Sequence, residues 1–291
     1  IGGKGFAITE GFKYSLKNGE IWQLGDHKIL CGDATEEINF NNLMGKEKST
    51  ITWTDPPYNI NYQPYNSKVS QDIYADGKYK HNKVFSDNLN PEQYKELLKK
   101  SLLNCYKYSN EKSVLFLWNG DKNLHIATQA SIESRFLINQ LAAWIKNYLN
   151  FTPGCLFNKI MEFCIIAFKD GHKPEFNKEY IKNQTNLFIL DNSKNSYNDL
   201  KNIINAWYIR RDNTQDYNHP TQKPVELIYR AIYAATKEGD IVLDCFGGSG
   251  STLIACEIHK RKARLIELDP YYCSIIIERW ENLTGKKAIK L

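Results

Sequence analysis

The chain has 291 residues, 42% hydrophobic and 24% charged, with a net charge of +5, which is ordinary globular composition for one large α/β domain or two modest ones. No apolar stretch reaches the roughly 20 residues a bilayer span needs, and the N-terminus lacks a charged-then-apolar leader pattern. The seven cysteines are odd in number and never paired as C-x-x-C, which excludes a disulfide framework and a zinc site and fits a reducing, cytoplasmic setting.

Residues 1–19 read as a Gly- and Lys-rich lead-in. Two short apolar runs, Glu20–Leu24 and Lys28–Cys31, flank Gly25-Asp26-His27 and predict a tight hairpin. The second run ends in Gly32-Asp33, before a predicted helix over 35–44 with Ile38 and Leu43 on one side. Taken alone, Asp33 is better read as a helix cap than as a ligand group.

Ile51-Thr52-Trp53 predicts a buried strand that breaks at Thr54-Asp55-Pro56-Pro57-Tyr58-Asn59. Proline has no N–H and fixes φ, and the residue before it is held extended. The sequence therefore predicts a rigid corner rich in acceptors, with the Asp55 carboxylate, bare carbonyls at Pro56 and Pro57, and the Tyr58 ring. Such a corner suits a planar group carrying N–H donors, whereas a lone Asp-Pro is usually a plain turn. The polar stretch 59–90 is long enough to be a mobile flap over that corner.

Pro91 opens an amphipathic helix carrying Tyr94, Leu97, Leu98, Leu102, Cys105 and Tyr106 on its apolar face, and Lys95, Lys99 and Lys100 on a solvated one. Ser113–Trp118, Gln140–Lys146 and Glu162–Phe168 predict strands, with a helix from Asn119 to about 134. This alternation predicts a mostly parallel sheet covered on both faces. Residues 147–160 and 169–217 are rich in Asn, Lys and Tyr, with rings among bases as in Trp207-Tyr-Ile-Arg210-Arg211. That pattern suits a nucleic-acid groove, and equally an insertion with no such role.

After His219-Pro-Thr-Gln-Lys-Pro224 comes a helix through about 236, with Leu227, Ile228, Ala231, Ile232 and Ala235 on one side. Asp240–Asp244 predicts a strand running into Cys245-Phe-Gly-Gly-Ser-Gly-Ser-Thr252, a helix over 253–260, a strand ending at Glu267, and a helix over 270–284. A strand, Gly-rich turn, helix and strand ending in an acid about twenty residues past the turn is the order of nucleotide-binding α/β units. The turn lacks Gly-Lys-Ser/Thr and the third glycine of G-x-G-x-x-G, so a pyrophosphate ligand is disfavoured. Glycines allow close backbone approach, and a carboxylate accepts from ribose hydroxyls, which together suit S-adenosylmethionine.

Gly32-Asp33, Asp55-Pro-Pro-Tyr58, His219–Pro224, the F-x-G-x-G loop at 246–250 and Glu267 together resemble the amino-group DNA methyltransferases in which D-P-P-Y precedes the cofactor motif. The likeness is nearest to the catalytic part of phage-type and chromosomal adenine methylases that carry an N-terminal ParB-like domain, an expectation matched by the missing initiator Met. The resemblance implies a circularly permuted, Rossmann-like, mostly parallel seven-stranded α/β sheet. It divides the chain into a catalytic half at 20–146, a target-recognition region at 147–217 with a core strand near 162–168, and a cofactor half at 218–291.

The resemblance further implies that Asp55 and the Pro56 carbonyl accept from the N6 amine of a flipped adenine, with Pro57 and Tyr58 completing the catalytic motif and Tyr58 stacking on the base. S-adenosylmethionine would lie on Asp33 (adenine), Glu267 (ribose) and, at its methionine end, Thr221, Lys223 and the loop Asp244, Phe246, Gly247, Gly248, Ser249, Gly250 and Ser251. Cys245 stands where the family usually has proline, a change expected to matter little. Double-stranded DNA is the implied partner; family habit makes a homodimer plausible, and a cognate restriction enzyme is an open companion. The competing expectations are a cytosine-N4 methyltransferase, less favoured because cytosine enzymes more often carry Ser in place of the Asp, an RNA or protein-amide methylase, and a DNA-binding regulatory subunit with a dead catalytic domain.

Overall fold

The computed structural model describes residues 13–61, 86–150, 156–169, 171, 172, 174, 206–210 and 223–291. Among them ten strands form a single sheet. In chain order they are β1 (Ile21–Leu24), β2 (His27–Cys31), β3 (Ser49–Thr54), β4 (Ser109–Asn119), β5 (Phe136–Asn150), β6 (Lys159–Lys169), β7 (Ala206–Tyr208), β8 (Ile241–Asp244), β9 (Lys262–Glu267) and β10 (Ile289–Lys290). The helices are α1 (Glu37–Met44), α2 (Pro91–Lys107), α3 (Leu124–Glu133), α4 (Val225–Ala235), α5 (Ser251–Ile258) and α6 (Pro270–Thr284).

The strands lie in the order β10-β1-β2-β9-β8-β3-β4-β6-β5-β7. Pairings β2–β9, β9–β8, β8–β3 and β3–β4 are parallel, and β6 runs antiparallel to both β4 and β5. The seven strands from β2 to β5 therefore contain six that point one way and one, β6, reversed. This is the expected mostly parallel Rossmann-like sheet, widened by β1 and β10 at one edge and β7 at the other. The strands of the two halves interleave, so 20–146 and 218–291 share one sheet.

β4 shows how the sequence builds the two-faced core. Val114, Phe116 and Trp118 pack into one cluster with Trp53, Trp144, Ile276 and Trp280. Leu115 and Leu117 point the other way, against Leu98 and Leu102 of α2, as the period of two requires. α2 begins with a capping box between Asn90 and Gln93 and has Pro91 in its first turn, satisfying backbone N–H groups that the helix itself cannot. α6 starts on the Asp269 side chain and ends at Gly285 with φ +71°, a conformation that glycine adopts without strain.

Three sequence expectations change. Ile38 is 58% exposed while Leu43 is fully buried; five residues at 100° each put the two about 140° apart on a helix, so they do not share a face. The buried face of α1 is Asn39, Phe40, Leu43 and Met44. Residues 147–150, expected in the irregular region, continue β5, and Asn150 pairs with Lys159. Trp207, in a stretch that suited a groove and a role-free insertion equally, is buried in the main core with its ring 6.0 Å from that of Trp118. β7 lies parallel on β5, and its neighbour Ile209 is also buried; Arg210 is exposed and Arg211 lies outside the described residues. Residues 62–85 of the expected flap over 59–90, and most of 147–217, also lie outside them.

Candidate active site

Chain connections reverse direction between β8 and β3. From β8 the chain crosses through α5 to β9 on one side, and from β3 through α2 to β4 on the other. In open α/β sheets the crevice beyond the strand ends at such a switch point is where ligands bind. β8 ends at Asp244, and β3 delivers Asp55 to the same rim, with Ile51 beside Val242 and Thr52 beside Leu243. A cleft open to solvent is lined by both aspartates together with Trp53, Lys223, Phe246, Gly247–Ser249, Ser251 and Thr252.

The Asp-Pro-Pro-Tyr corner is fixed from outside. Asn123 Nδ2 donates to the carbonyls of Tyr58, at 2.7 Å, and Asn59, at 3.1 Å. Asn59 itself exchanges hydrogen bonds with the backbone of Leu89 at 2.9 and 2.6 Å. Gly120 lies against the Tyr58 ring so closely that a Cβ there would come within 3.2 Å of it. No described residue places Thr221, which lies outside the described positions.

The Lys223 ammonium donates to Asp55 Oδ2 at 2.6 Å and to Tyr58 Oη at 2.9 Å, and lies 3.0 Å from Glu162 Oε2. Tyr58 Oη donates to the same Glu162 oxygen at 3.0 Å, and Lys146 closes on Glu162 Oε1. Asp55 Oδ1 is buried and has no hydrogen-bond partner. Burial pushes the Asp55 carboxyl above the ordinary carboxylate range, with Lys223 opposing and Glu162 adding to the rise. Burial acts likewise on Glu162, but Lys223 and Lys146 more than reverse it and hold that carboxyl at about 2. Lys223 is lowered by burial and raised further by Asp55 and Glu162, so its net shift is upward.

The glycine turn is built by backbone conformation. Gly250 has φ +81° and a Cβ there would meet Ile276 at 2.8 Å, whereas Gly248, with φ +52°, faces open space. Glu267, at the end of β9, accepts from Gly248 N at 2.7 Å and from Asp269 N at 2.9 Å. Burial pushes its carboxyl up to about 7, against the pull of those two N–H groups. Asp244 accepts from Phe246 N at 3.1 Å and Thr252 Oγ1 at 2.6 Å, and burial raises it to about 8. Asp33 accepts from Thr35 N and Oγ1, both at 2.8 Å, in a turn ahead of α1; the N-cap of α1 is Glu36, with no side-chain cap bond, so the reading of Asp33 as a helix cap does not hold. β2 and β9 are neighbours, so Asp33 and Glu267 stand on the same rim.

The cleft fits the expected cofactor on its own chemistry. Gly248 leaves room for a ligand against the backbone, and Ser251 Oγ, on the cleft wall at the start of α5, is buried without a partner. A carboxylate has about four lone-pair sites, so Glu267 can accept from ribose hydroxyls while keeping both backbone bonds. Cys245 lies outside this cleft, buried 3.3 Å from Thr54 Oγ1 and 3.6 Å from Cys105 Sγ. Among the described residues no group of His, Cys, Asp and Glu is arranged to hold a metal ion, and no helix is long and apolar enough to cross a membrane.

Glu162, Lys146 and Arg279 escaped the sequence reading. Arg279 of α6 donates to Ser249 Oγ at 3.0 Å and steadies the glycine turn. The only available signal for the first two was a lone charge at one end of each of two successive apolar runs, Gln140–Lys146 and Glu162–Phe168. The antiparallel pairing of β5 and β6 brings those ends together.

The chain is similar to known proteins in sequence and in fold. The chain is 26% identical to the type II methyltransferase M.HpaI of Haemophilus parainfluenzae over 88% of its own length and 75% of that protein's. It is 25% identical to the DNA adenine methyltransferase YhdJ of Escherichia coli K12, over 90% of this chain and 85% of that one. Its fold is similar to that in the crystal structure of the M1.HpyAVI–SAM complex, with a TM-score of 0.57 and 22% identity over 86% of this chain and 97% of the other. The profile of the N6/N4 DNA methylase family matches residues 50–278, which takes in the D-P-P-Y corner, the glycine turn and Glu267, and the chain belongs to that DNA methylase family.

Proposed function

We propose that this protein transfers a methyl group from S-adenosylmethionine to the N6 amine of an adenine flipped out of duplex DNA. The observation that carries the assignment is Asp55 Oδ1, a buried acceptor without a partner on the wall of the cleft that also holds the glycine turn.

An exocyclic amine is a poor nucleophile because its lone pair is delocalised into the ring. Asp55 and the Pro56 carbonyl accept its two N–H groups and localise the lone pair on the outer face. Tyr58 offers its ring to the base, and Gly120 and Asn123 fix the ring and the turn that carries it. When bound, S-adenosylmethionine supplies an electrophilic methyl on a sulfonium. Glu267 takes its ribose, Asp33 its adenine, and Gly248–Ser251 with Asp244 its methionine end. Holding amine and methyl in line is chiefly a positioning task, where effective molarities are large. Flipping the base costs on the order of a few kcal/mol, which we assign to contacts from the target-recognition region 147–217.

The reading extends to a homodimer and a cognate restriction nuclease as companions. Ile132 and Leu137, 58% and 60% exposed on α3 and β5, support a face for a second copy, and sedimentation of the purified protein decides it.

The function is tested by Asp55→Ala. S-adenosylmethionine binding measured by calorimetry should persist while methyl transfer to DNA is lost. Loss of cofactor binding would refute the role of Asp55. Digestion of the methylated DNA should yield N6-methyladenine; N4-methylcytosine would refute the choice of base.

A further inference from the structure

The hydrogen bonds behind the catalytic corner close into a ring. Lys223 donates to Asp55 Oδ2 and Tyr58 Oη and forms an ion pair with Glu162 Oε2 at 3.0 Å. Tyr58 Oη, accepting from Lys223, gives its own proton to Glu162. Glu162 Oε1 is occupied by Lys146 of β5. Lys223 is thus shared among three partners and meets Asp55 at Oδ2 alone, and Asp55 Oδ1 is the buried acceptor left bare.

A simple Asp55–Lys223 pair would behave otherwise. A lysine with two uncommitted protons can bridge both oxygens of one carboxylate, which here would block the position the target amine needs. Burying a second ion pair, Glu162–Lys146, beside the first costs desolvation that a stable fold does not require. The second pair stops Lys223 from closing over Asp55.

We propose that Glu162 is a positioning residue for methyl transfer: it draws the Lys223 ammonium and the Tyr58 hydroxyl to its own side of the corner, so that Asp55 presents one oxygen bare to the amine. The proposal rests on the functional reading above. It also gives the reversed strand β6 a role, because β6 is the element that brings Glu162 to the corner and its hairpin partner β5 brings Lys146.

The charges facing Asp55 come from several elements. Lys223 precedes α4, Glu162 and Cys164 lie on β6, Tyr58 on its own turn, Asp244 at the end of β8 and Tyr94 on α2, with Lys146 of β5 behind Glu162. Glu162 raises the Asp55 carboxyl and Lys223 lowers it. Removing the Glu162 charge leaves Lys223 undivided, so the Asp55 titration must move to lower pH.

The test is Glu162→Gln, with Glu162→Asp as the variant that keeps the charge. In single-turnover assays on a pre-bound oligonucleotide, Glu162→Gln should slow transfer on the order of 100-fold, the scale of a misplaced reacting group. Cofactor affinity should stay unchanged, the acid limb of the rate profile should move down, and Glu162→Asp should recover part of the rate. A wild-type rate in Glu162→Gln, or a slower rate with an unmoved acid limb, overturns the proposal. The Asp55 carboxyl, followed by carbon-13 NMR in cofactor-free protein, gives a readout independent of the methyl acceptor. A downward shift in Glu162→Gln supports the positioning role even if wild-type enzyme proves to methylate another base, and an unshifted titration overturns it even if adenine is methylated.

Discussion

Lys223 and Asp55 are 168 positions apart in the chain and meet at 2.6 Å. The family resemblance placed Lys223 with the methionine end of the cofactor and Asp55 with the target amine. In the fold Lys223 lines the cleft and also pairs with Asp55, so one ammonium stands where the two half-sites meet.

Lys223→Met should therefore disable catalysis through Asp55. The ammonium is what holds the Asp55 carboxyl down against burial and Glu162. Without it the carboxyl titrates at higher pH, and the acid limb of methyl transfer moves up, opposite to the shift expected for Glu162→Gln. Breaking a buried pair is also destabilising, on the order of 3 kcal/mol, visible as a lower denaturation midpoint. An acid limb that stays in place would mean that Lys223 does not govern Asp55.

The sheet was legible in the sequence because its central strands are apolar runs, α2 and α6 carry caps, and α4 has a clear period. α4 shows this well, since Leu227, Ile228, Ala231, Ile232 and Ala235 are its buried residues, as the spacing predicted. The candidate site was legible where a motif concentrates it, at Asp55–Tyr58, Lys223, Asp244, 246–250 and Glu267. Glu162 and Lys146 have no motif. Their meaning comes from strand pairing, and pairing is a long-range property that local spacing does not contain. Trp207 stayed undecided for a related reason: a ring among basic residues looks alike on a groove and on an edge strand, and only the partner β5 distinguishes them.

Trp207 and Arg210 accordingly make a contrasting pair. Trp207→Ala empties a core site and should cost about 3–5 kcal/mol, read as a fall in thermal or urea midpoint. Arg210 is exposed at the end of the same segment. Arg210→Ala should leave stability unchanged, weaken DNA binding uniformly across sequences and reduce the salt slope by about 1. Unchanged DNA affinity would remove Arg210 from the DNA-facing surface.

The two positive-φ glycines of the cofactor turn should separate folding from binding. Gly250→Ala combines positive φ with a 2.8 Å approach to Ile276, and strain together with overpacking should cost about 2–4 kcal/mol. Gly248→Ala carries the backbone strain alone, about 1 kcal/mol, because its Cβ meets nothing in the protein. That Cβ instead projects into the space assigned to the cofactor. Gly248→Ala should remain folded and lose S-adenosylmethionine affinity, measured by calorimetry. If it binds as wild type does, the cofactor does not approach the turn at this residue.

Glu267 gives cofactor binding a pH dependence whose sign is opposite to that of stability. Its carboxyl is held at about 7 in the fold, above the ordinary value of 4.5, and Asp244 is raised similarly to about 8. A carboxyl with a raised folded value favours the protonated native state. Its contribution to stability is complete below the unfolded value and is lost as pH rises through the folded one. The cofactor-free protein should therefore lose stability between about pH 5 and pH 8 as these two groups ionise. Accepting from ribose hydroxyls needs Glu267 ionised. S-adenosylmethionine affinity should thus weaken as pH falls below about 7, approaching tenfold per unit where one proton must be released on binding. Calorimetry in buffers of different ionisation enthalpy would show that proton at pH 6 and not at pH 8.5, and the thermal shift caused by the cofactor would be larger at the higher pH. Glu267→Gln should abolish the dependence, since an amide accepts at every pH. A dependence that survives Glu267→Gln would assign the titration to another group and remove Glu267 from the ribose.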